Sequence, residues 1–164
     1  MRRRTTLLAG TCLAALGLTG CASAVVVPPA PSAAAVGCAE VARTLPAEVA
    51  GLGARTTTAQ GAAAWGPAGA PEGGSGEVVL RCGVEPPGPT TTRCTAISPE
   101  GLPEVDWISD QDGRGARFTT YGRVPAVQLV VPATLTRADP TLTQAILADV
   151  ATAVATVPAQ RRCE

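Results

Sequence analysis

Hydrophobic residues are distributed unevenly along the chain, and the first pattern is a nearly continuous apolar run. Three arginines, Arg2 to Arg4, precede this run from Leu7 to Leu18, and Thr19, Gly20 and Cys21 follow it. A positive segment, a short apolar segment and small residues are typical of a signal peptide. The run is shorter than the roughly 20 apolar residues that a membrane-spanning helix needs. It therefore predicts export and not a retained transmembrane helix.

Two later segments carry apolar residues at helical spacing. The first contains Cys38, Val41, Leu45, Val49 and Leu52, and Pro46 divides it into two short helical turns. The second is predicted to begin with Asp139 as N-cap and Pro140 as first helical residue, and to end at Pro158. Its apolar stripe comprises Leu142, Ile146, Val150, Ala153, Val154 and Val157. The pattern thus predicts an N-terminal and a C-terminal helix.

The middle of the chain alternates apolar and polar residues, which is typical of strands. In EVVLRCGV, one face carries Val78, Leu80, Cys82 and Val84. The turn PPGPTT leads into RCTAIS and predicts a hairpin-like pair. EVDWIS, an Asp-Gly turn and ARFTTYG predict a second hairpin, and VPAVQLVVP predicts a last strand.

These elements predict an α+β fold. We expect a small antiparallel sheet of about five strands, with the N-terminal and C-terminal helices packed on one face and the other face open. Residues 1–20 are predicted to be a signal peptide and residues 21–37 an uncharged tether rich in Ala, Pro and Val. Residues 38–164 are predicted to form a single globular domain, with a flexible Gly/Pro-rich loop at 56–76.

The end of the apolar run refines the predicted location of the protein. Leu18, Thr19, Gly20 and Cys21 resemble the lipobox of bacterial lipoproteins, in which diacylglycerol is attached to the cysteine thiol before cleavage. Two acyl chains hold a protein stably on a membrane. We therefore expect a lipid anchor at Cys21 on the extracytoplasmic face of a bacterial cell membrane. The alternative is an ordinary secreted protein cut near Ala22 to Ala24.

The remaining cysteines indicate disulfide bonds. Once Cys12 leaves with the signal peptide and Cys21 carries lipid, four are left: Cys38, Cys82, Cys94 and Cys163. An even number in an exported protein predicts two disulfides, with three possible connectivities. A metal site is disfavoured because the chain has no histidine and no C-x-x-C spacing.

Composition narrows the function classes. The chain has 13 basic residues, all arginine, and 13 acidic residues; loss of Arg2 to Arg4 leaves 10 against 13, a net charge of −3. This balance does not favour nucleic-acid binding. Without histidine or lysine, the usual catalytic bases and a P-loop are missing, and we expect no catalytic residue and no cofactor. A glycosidase remains as an alternative, with paired carboxylates drawn from Glu100, Glu104, Asp106, Asp110 and Asp112.

A few large side chains form a candidate binding patch. Asp106, Trp107, Tyr121 and Arg123 lie on consecutive predicted strands, and Trp65 is the other tryptophan of the chain. Aromatic side chains beside an aspartate and an arginine are common in binding surfaces. The simpler interpretation, which we favour, is that Trp107 fills the core while Asp106 and Arg123 pair at a strand end.

Several short motifs resemble an actinobacterial family of exported proteins, domain of unknown function 3515. They are WG at Trp65, LRCG at Leu80, VDW at Val105, FTTYGR at Phe118 and VVP at Val130. The resemblance runs from Cys38 to the end of the chain, although PAGAPEGGSGEVV lengthens the interval after WG. It implies disulfides between Cys38 and Cys82 and between Cys94 and Cys163. It brings no catalytic residue.

The expected function is therefore that of a non-catalytic cell-envelope lipoprotein. Its partners would be the membrane, through the lipid anchor, and an envelope protein or a small envelope ligand. A structural or assembly accessory without a ligand site is the alternative, and a cell-wall enzyme is a less favoured one.

Overall fold

One antiparallel sheet organises the computed structural model, which describes residues 24–67, 76–139 and 141–163. Within these ranges the sheet has eight strands in the order β1-β2-β3-β4-β8-β7-β6-β5. The strands are β1 Glu48–Val49, β2 Leu52–Arg55, β3 Ala62–Gly66, β4 Val78–Val84, β5 Cys94–Ile97, β6 Val105–Asp112, β7 Gly115–Thr120 and β8 Ala126–Pro132. The helices are α1 Val36–Thr44, α2 Ala133–Ala138 and α3 Leu142–Ala155.

The main core lies between one face of the sheet and helices α1 and α3. Alternate residues of β4 point into it, so Val78, Leu80 and Cys82 are all buried. From α3, Ile146 and Val150 of the predicted stripe reach the same core. None of the described helices has the length and hydropathy needed to cross a bilayer.

The hairpin predicted from VDWIS and ARFTTYG is confirmed as β6 and β7. Ser109 lies opposite Phe118 in its register, and the Asp112 carboxylate accepts a hydrogen bond of 2.7 Å from the Arg114 N–H in the turn. The predicted last strand is β8, which lies between β4 and β7 and is buried at Leu129. Val127, Leu129 and Val131 of β8 lie in the main core, whereas Gln128 and Val130 on the other face are half-buried.

The sheet is larger than predicted, and two local predictions are wrong. Strands β1 and β2 occupy the second half of the expected N-terminal helix, because Leu45 is extended before Pro46 and the helix ends at Thr44. Strand β3 lies inside the expected loop at 56–76, of which residues 68–75 are outside the described residues. Strand β1 pairs with its neighbour β2, whereas β3 is held in the sheet by pairing with β2 and β4.

The expected pairing of β4 with the next strand is also wrong. Strand β4 pairs with β3 and β8, whereas β5 pairs with β6 at the far edge of the sheet. The segment PPGPTT therefore belongs to a connection between two strands that lie far apart in the sheet, and it is not a hairpin turn. Strand β4 therefore lies inside the sheet, where Val78, Leu80 and Cys82 face the core under the helices.

The described residues form three helices and not the two that were expected. Helix α2 follows β8 directly, and Asp139 is its C-cap, while α3 begins at Leu142 with Thr141 as N-cap. The Asp139 carboxylate accepts hydrogen bonds from the Thr141 N–H and hydroxyl at 2.8 and 2.7 Å. These hydrogen bonds hold the pKa of Asp139 below its usual value. Pro140 lies outside the described residues.

The described part of the expected tether is not extended into solvent. Val25 and Val27 are buried against Ala64 and Val79, on the sheet face opposite the main core. The Ser32 N–H then donates to the Gly83 carbonyl at 2.9 Å. Gly83 has φ +88° and a Cβ there would lie 2.3 Å from Ser32, so only glycine permits this approach. The N-terminal segment therefore covers part of the face that was expected to be open.

Two disulfides staple the fold. Cys38 of α1 is joined to Cys82 of β4, and Cys94 of β5 is joined to Cys163 near the end of the chain. This is the pairing that the family resemblance implies. The first bridge is buried in the main core, and the second holds the C-terminal tail against the edge of the sheet.

Candidate functional site

A broad groove of about 810 Å³ lies between the C-terminal tail, residues 160–163, and the sheet edge formed by β5. We call it the tail groove. Its lining is Thr90–Cys94, Ala96, Glu104, Asp106, Tyr121 and Arg161–Cys163. Guanidinium, carboxyl and hydroxyl groups dominate this list, so the tail groove is a polar site.

Several independent contacts hold the tail in place. Cys163 is bonded to Cys94, and its N–H donates to the Asp106 carboxylate at 3.0 Å. The N–H groups of Gln160 and Arg161 both donate to the Gly122 carbonyl, at 2.6 and 3.3 Å. One wall of the groove is therefore preorganised, and a ligand need not order the tail when it binds.

Arg123 lies behind the groove and is almost fully buried, with 1% of its surface exposed. Its guanidinium donates to the carbonyl of Val157 and, at 2.6 Å, to the carbonyl of Glu104. Burial and the neighbouring Arg162 guanidinium lower the pKa of Arg123 below its usual value, and the Asp106 carboxylate acts in the opposite direction. Arg123 thus links the end of α3 to the strand that carries the groove carboxylates.

Asp106 is a buried carboxylate on the floor of the groove, with 5% of its surface exposed. It is oriented by the Cys163 N–H described above, and its own carbonyl accepts a hydrogen bond of 2.8 Å from the Tyr121 N–H. The ring of Tyr121 lies below the Arg161 guanidinium, whose central carbon is 6.0 Å from the ring centroid. This distance allows a cation–π attraction that positions Arg161 over the groove.

The five residues of the predicted patch do not form one surface. Trp107 is fully buried in the main core, and Trp65 is buried there too, with its indole N–H donating to the Pro46 carbonyl at 3.0 Å. Asp106 and Tyr121 line the tail groove, and Arg123 supports it from behind. Trp107 thus occupies the place that the simpler interpretation gave it.

The pairing of Asp106 with Arg123 takes a different form from the one expected. The ion pairs among the described residues do not join these two side chains directly. Arg123 instead donates to backbone carbonyls, and Asp106 accepts from the backbone of the tail. The charges of Asp106 and Arg123 therefore interact electrostatically without a direct contact, and each side chain holds a different backbone segment in place.

Sequence reasoning missed the arginines of the groove. Arg93 precedes Cys94, and Arg161 and Arg162 precede Cys163. Because these two cysteines form one disulfide, the arginines beside them meet at the groove. Once the Cys94–Cys163 pairing is assumed, the sequences TTTRC and RRC contain the signal that predicts this basic cluster.

The acidic residues considered for glycoside cleavage are divided among three places. Glu104 and Asp106 line the tail groove, whereas Asp110 pairs with Arg117 at 3.1 Å and Asp112 accepts from the hairpin turn. Glu100 is an exposed loop residue. Within residues 24–67, 76–139 and 141–163, no group of three His, Cys, Asp or Glu residues is placed to hold a metal ion.

Comparison with known proteins adds a family and no activity. A family model described as a protein of unknown function, DUF3515, matches residues 7–161. No curated protein and no solved structure matches the chain. The tail groove therefore has to be interpreted from its own chemistry.

Proposed function

The chain belongs to the DUF3515 family, and we propose that it is an exported, lipid-anchored envelope protein that binds a small ligand in the tail groove without catalysis. The observation that carries this proposal is the groove itself. Its volume of about 810 Å³ falls within the range of about 300–1,000 Å³ typical of ligand pockets. Its tail wall is held by a disulfide and by backbone hydrogen bonds.

Export and lipid anchoring are supported by the N-terminal sequence. The arginines, the apolar run and Leu18–Cys21 have the arrangement of a lipoprotein signal, with Cys21 as acceptor of the lipid. Two disulfides between distant segments favour an oxidising compartment outside the cytoplasm. The N-terminal signal pattern and the two disulfides thus support the same location outside the cytoplasm.

Binding is favoured over catalysis by the groups that line the groove. Arginine and threonine side chains recognise anionic and polar groups, but arginine stays protonated and cannot act as a general base at neutral pH. The carboxylates of the groove are already engaged, Glu104 by Ser98 at 2.9 Å and Asp106 by Cys163. We therefore assign to the groove a recognition role.

A photo-crosslinker in the groove tests the binding function. A benzoyl-phenylalanine at Thr91, in the lipidated protein in native membranes, is expected to yield a small-molecule adduct detected by mass spectrometry. The matched control is the same group at Thr152, an exposed residue on α3. Identical adducts at both positions would favour an accessory protein without a ligand site. A protein adduct specific to Thr91 would replace the small ligand by a protein partner.

Substitution of the lipid acceptor tests the location. Cys21→Ala is expected to move the protein from the membrane fraction to the culture medium or the soluble fraction, because a signal sequence without the acceptor thiol receives no diacylglycerol. Cys12→Ala, in the same N-terminal segment, is the control and should remain in the membrane fraction. Membrane association of Cys21→Ala equal to that of the control would contradict the lipid anchor.

A further inference from the structure

The charge of the tail groove comes from three guanidinium groups and two carboxylates. Arg93, Arg161 and Arg162 line it together with Glu104 and Asp106. The arginines are exposed, whereas Asp106 is buried to 95% and its carboxylate accepts from the tail backbone. Glu104 is partly exposed and lies 4.0 Å from Arg162, so the accessible charges are three guanidinium groups against one carboxylate. This positive balance attracts an anion.

Two of the three arginines are available to a ligand. Arg162 approaches Glu104 at 4.0 Å, whereas neither Arg93 nor Arg161 belongs to an ion pair among the described residues. The Arg161 guanidinium lies above the Tyr121 ring and lines the groove, so its N–H donors are within reach of a ligand there. Thr90–Thr92 line the same depression; the Thr90 hydroxyl donates to the Thr92 hydroxyl at 3.0 Å, and the hydroxyl groups of Thr91 and Thr92 can donate to a ligand.

We infer that the tail groove recognises a ligand that carries a phosphate group, an inference that rests on the proposed binding function. A phosphate monoester has a charge of about −1.5 to −2 at neutral pH and three strong acceptor oxygens. It therefore matches two guanidinium groups and neighbouring hydroxyls better than a carboxylate, which has one negative charge and two oxygens. Arginine forms paired hydrogen bonds to phosphate oxygens, which adds directionality to the attraction.

The position of the groove favours a free ligand over a phospholipid headgroup. Ala24 is the third residue after Cys21, a reach of about 10 Å at most, and Val25 is already packed against Ala64 of β3. Strand β3 is separated from β5 by five strand spacings of about 4.8 Å, or about 24 Å across the sheet. A lipid anchor at Cys21 would thus hold the β3 side near the bilayer and the groove at the opposite edge.

Phosphate titration of the lipidated protein in neutral detergent tests the inference. Inorganic phosphate and glycerol 3-phosphate are expected to shift the amide NMR signals of Tyr121, Gly122 and Cys163 saturably, whereas glycerol should not. Arg93→Gln and Arg161→Gln should each weaken binding about tenfold or more, since each removes a charged hydrogen bond. Arg43→Gln on α1 is the control, because Arg43 pairs with Glu40 away from the groove, and should bind as the wild type does.

The outcomes separate this inference from the proposed function. Absence of saturable shifts, or equal affinities in Arg161→Gln and Arg43→Gln, would overturn the phosphate assignment. If no phosphate binding is found but a Thr91-specific crosslink is, the groove still binds a ligand and only the phosphate assignment is wrong. If neither phosphate binding nor a Thr91-specific crosslink is found, both the phosphate assignment and the proposed binding function are wrong. Binding to phosphatidylglycerol vesicles but not to soluble phosphates would show that the ligand is a phospholipid headgroup and not a free phosphate compound.

Discussion

Cys38→Ala combined with Cys82→Ala is expected to lower the free energy of unfolding by about 4 kcal/mol. The bridge closes a chain segment with a sequence separation of 44, and its loss frees that segment in the unfolded state. Both cysteines are 1% exposed and join α1 to the centre of the sheet, so the folded state also loses packing. Domains of this size are stable by only about 5–15 kcal/mol, so the loss is a large share. Urea unfolding followed by circular dichroism measures it.

The second disulfide provides the comparison. Cys94→Ala with Cys163→Ala removes a bridge of sequence separation 69, for which the chain-entropy model gives a similar loss of about 4 kcal/mol. This variant should in addition release the tail, which hydrogen exchange at Gln160 and Arg161 would detect. The Cys38 and Cys82 variant should keep that protection. A loss below about 1 kcal/mol in the first variant would contradict the stapling role, since it is well under the range expected for native bridges.

Gly122→Ala is expected to displace the C-terminal tail and abolish the tail groove. A Cβ at this position would lie 2.0 Å from the Arg161 carbonyl oxygen, so the backbone of the tail has to move. The residue also has φ +69°, where a left-handed conformation costs alanine about 1–2 kcal/mol. In urea unfolding, the free energy of unfolding should therefore fall by more than this backbone strain alone. Hydrogen exchange should show faster exchange of the Gln160 and Arg161 amides.

A substitution at a second glycine separates the backbone strain from the steric clash with the tail. Gly101 has the same φ of +69°, but a Cβ there meets nothing within 4 Å. Gly101→Ala is thus expected to lose only the about 1–2 kcal/mol of backbone strain and to keep phosphate binding and tail protection. Equal effects of the two substitutions on the tail would contradict the close approach of Gly122 to Arg161.

Gly122→Ala also bears on the binding proposals. The substitution acts on the tail, so it should leave the main core between α1, α3 and the sheet intact. A protein that is folded by circular dichroism, yet gives no Thr91-specific crosslink and no phosphate shifts, would connect binding to the position of the tail. The arginine substitutions test the charges themselves.

Local patterns were sufficient for part of the fold. The hairpin of β6 and β7 follows from alternation on both sides of the Asp112-Gly113 turn signal, where the Asp112 carboxylate accepts a hydrogen bond from the Arg114 N–H two residues on. The stripe of α3 is likewise periodic, and its central residues Ile146 and Val150 are buried as predicted. Each of these elements carries its signal within about 15 residues.

Other elements carried no such signal. Ala62–Gly66 contains three alanines in a segment without alternation, and it becomes a strand because β2 and β4 pair with it. The N-terminal residues from Val25 have the composition of a flexible linker, yet they bury Val25 and Val27 against the back of the sheet. Burial by distant neighbours overrides local preference in both cases.

The same distinction between local and long-range causes applies to the fold and to the candidate site. The sequence by itself determined the hairpin, the strand that follows it, the apolar stripe of the last helix and the presence of four body cysteines, because each depends on neighbours along the chain. The favoured interpretation of Trp107 as a core residue is confirmed, but only the tertiary structure decided that Trp65 is also a core residue and that Asp106 and Tyr121 face a groove. It also decided that Arg93 and Arg161 lie on the same groove, since residues so far apart in sequence are brought together by strand order and by a disulfide.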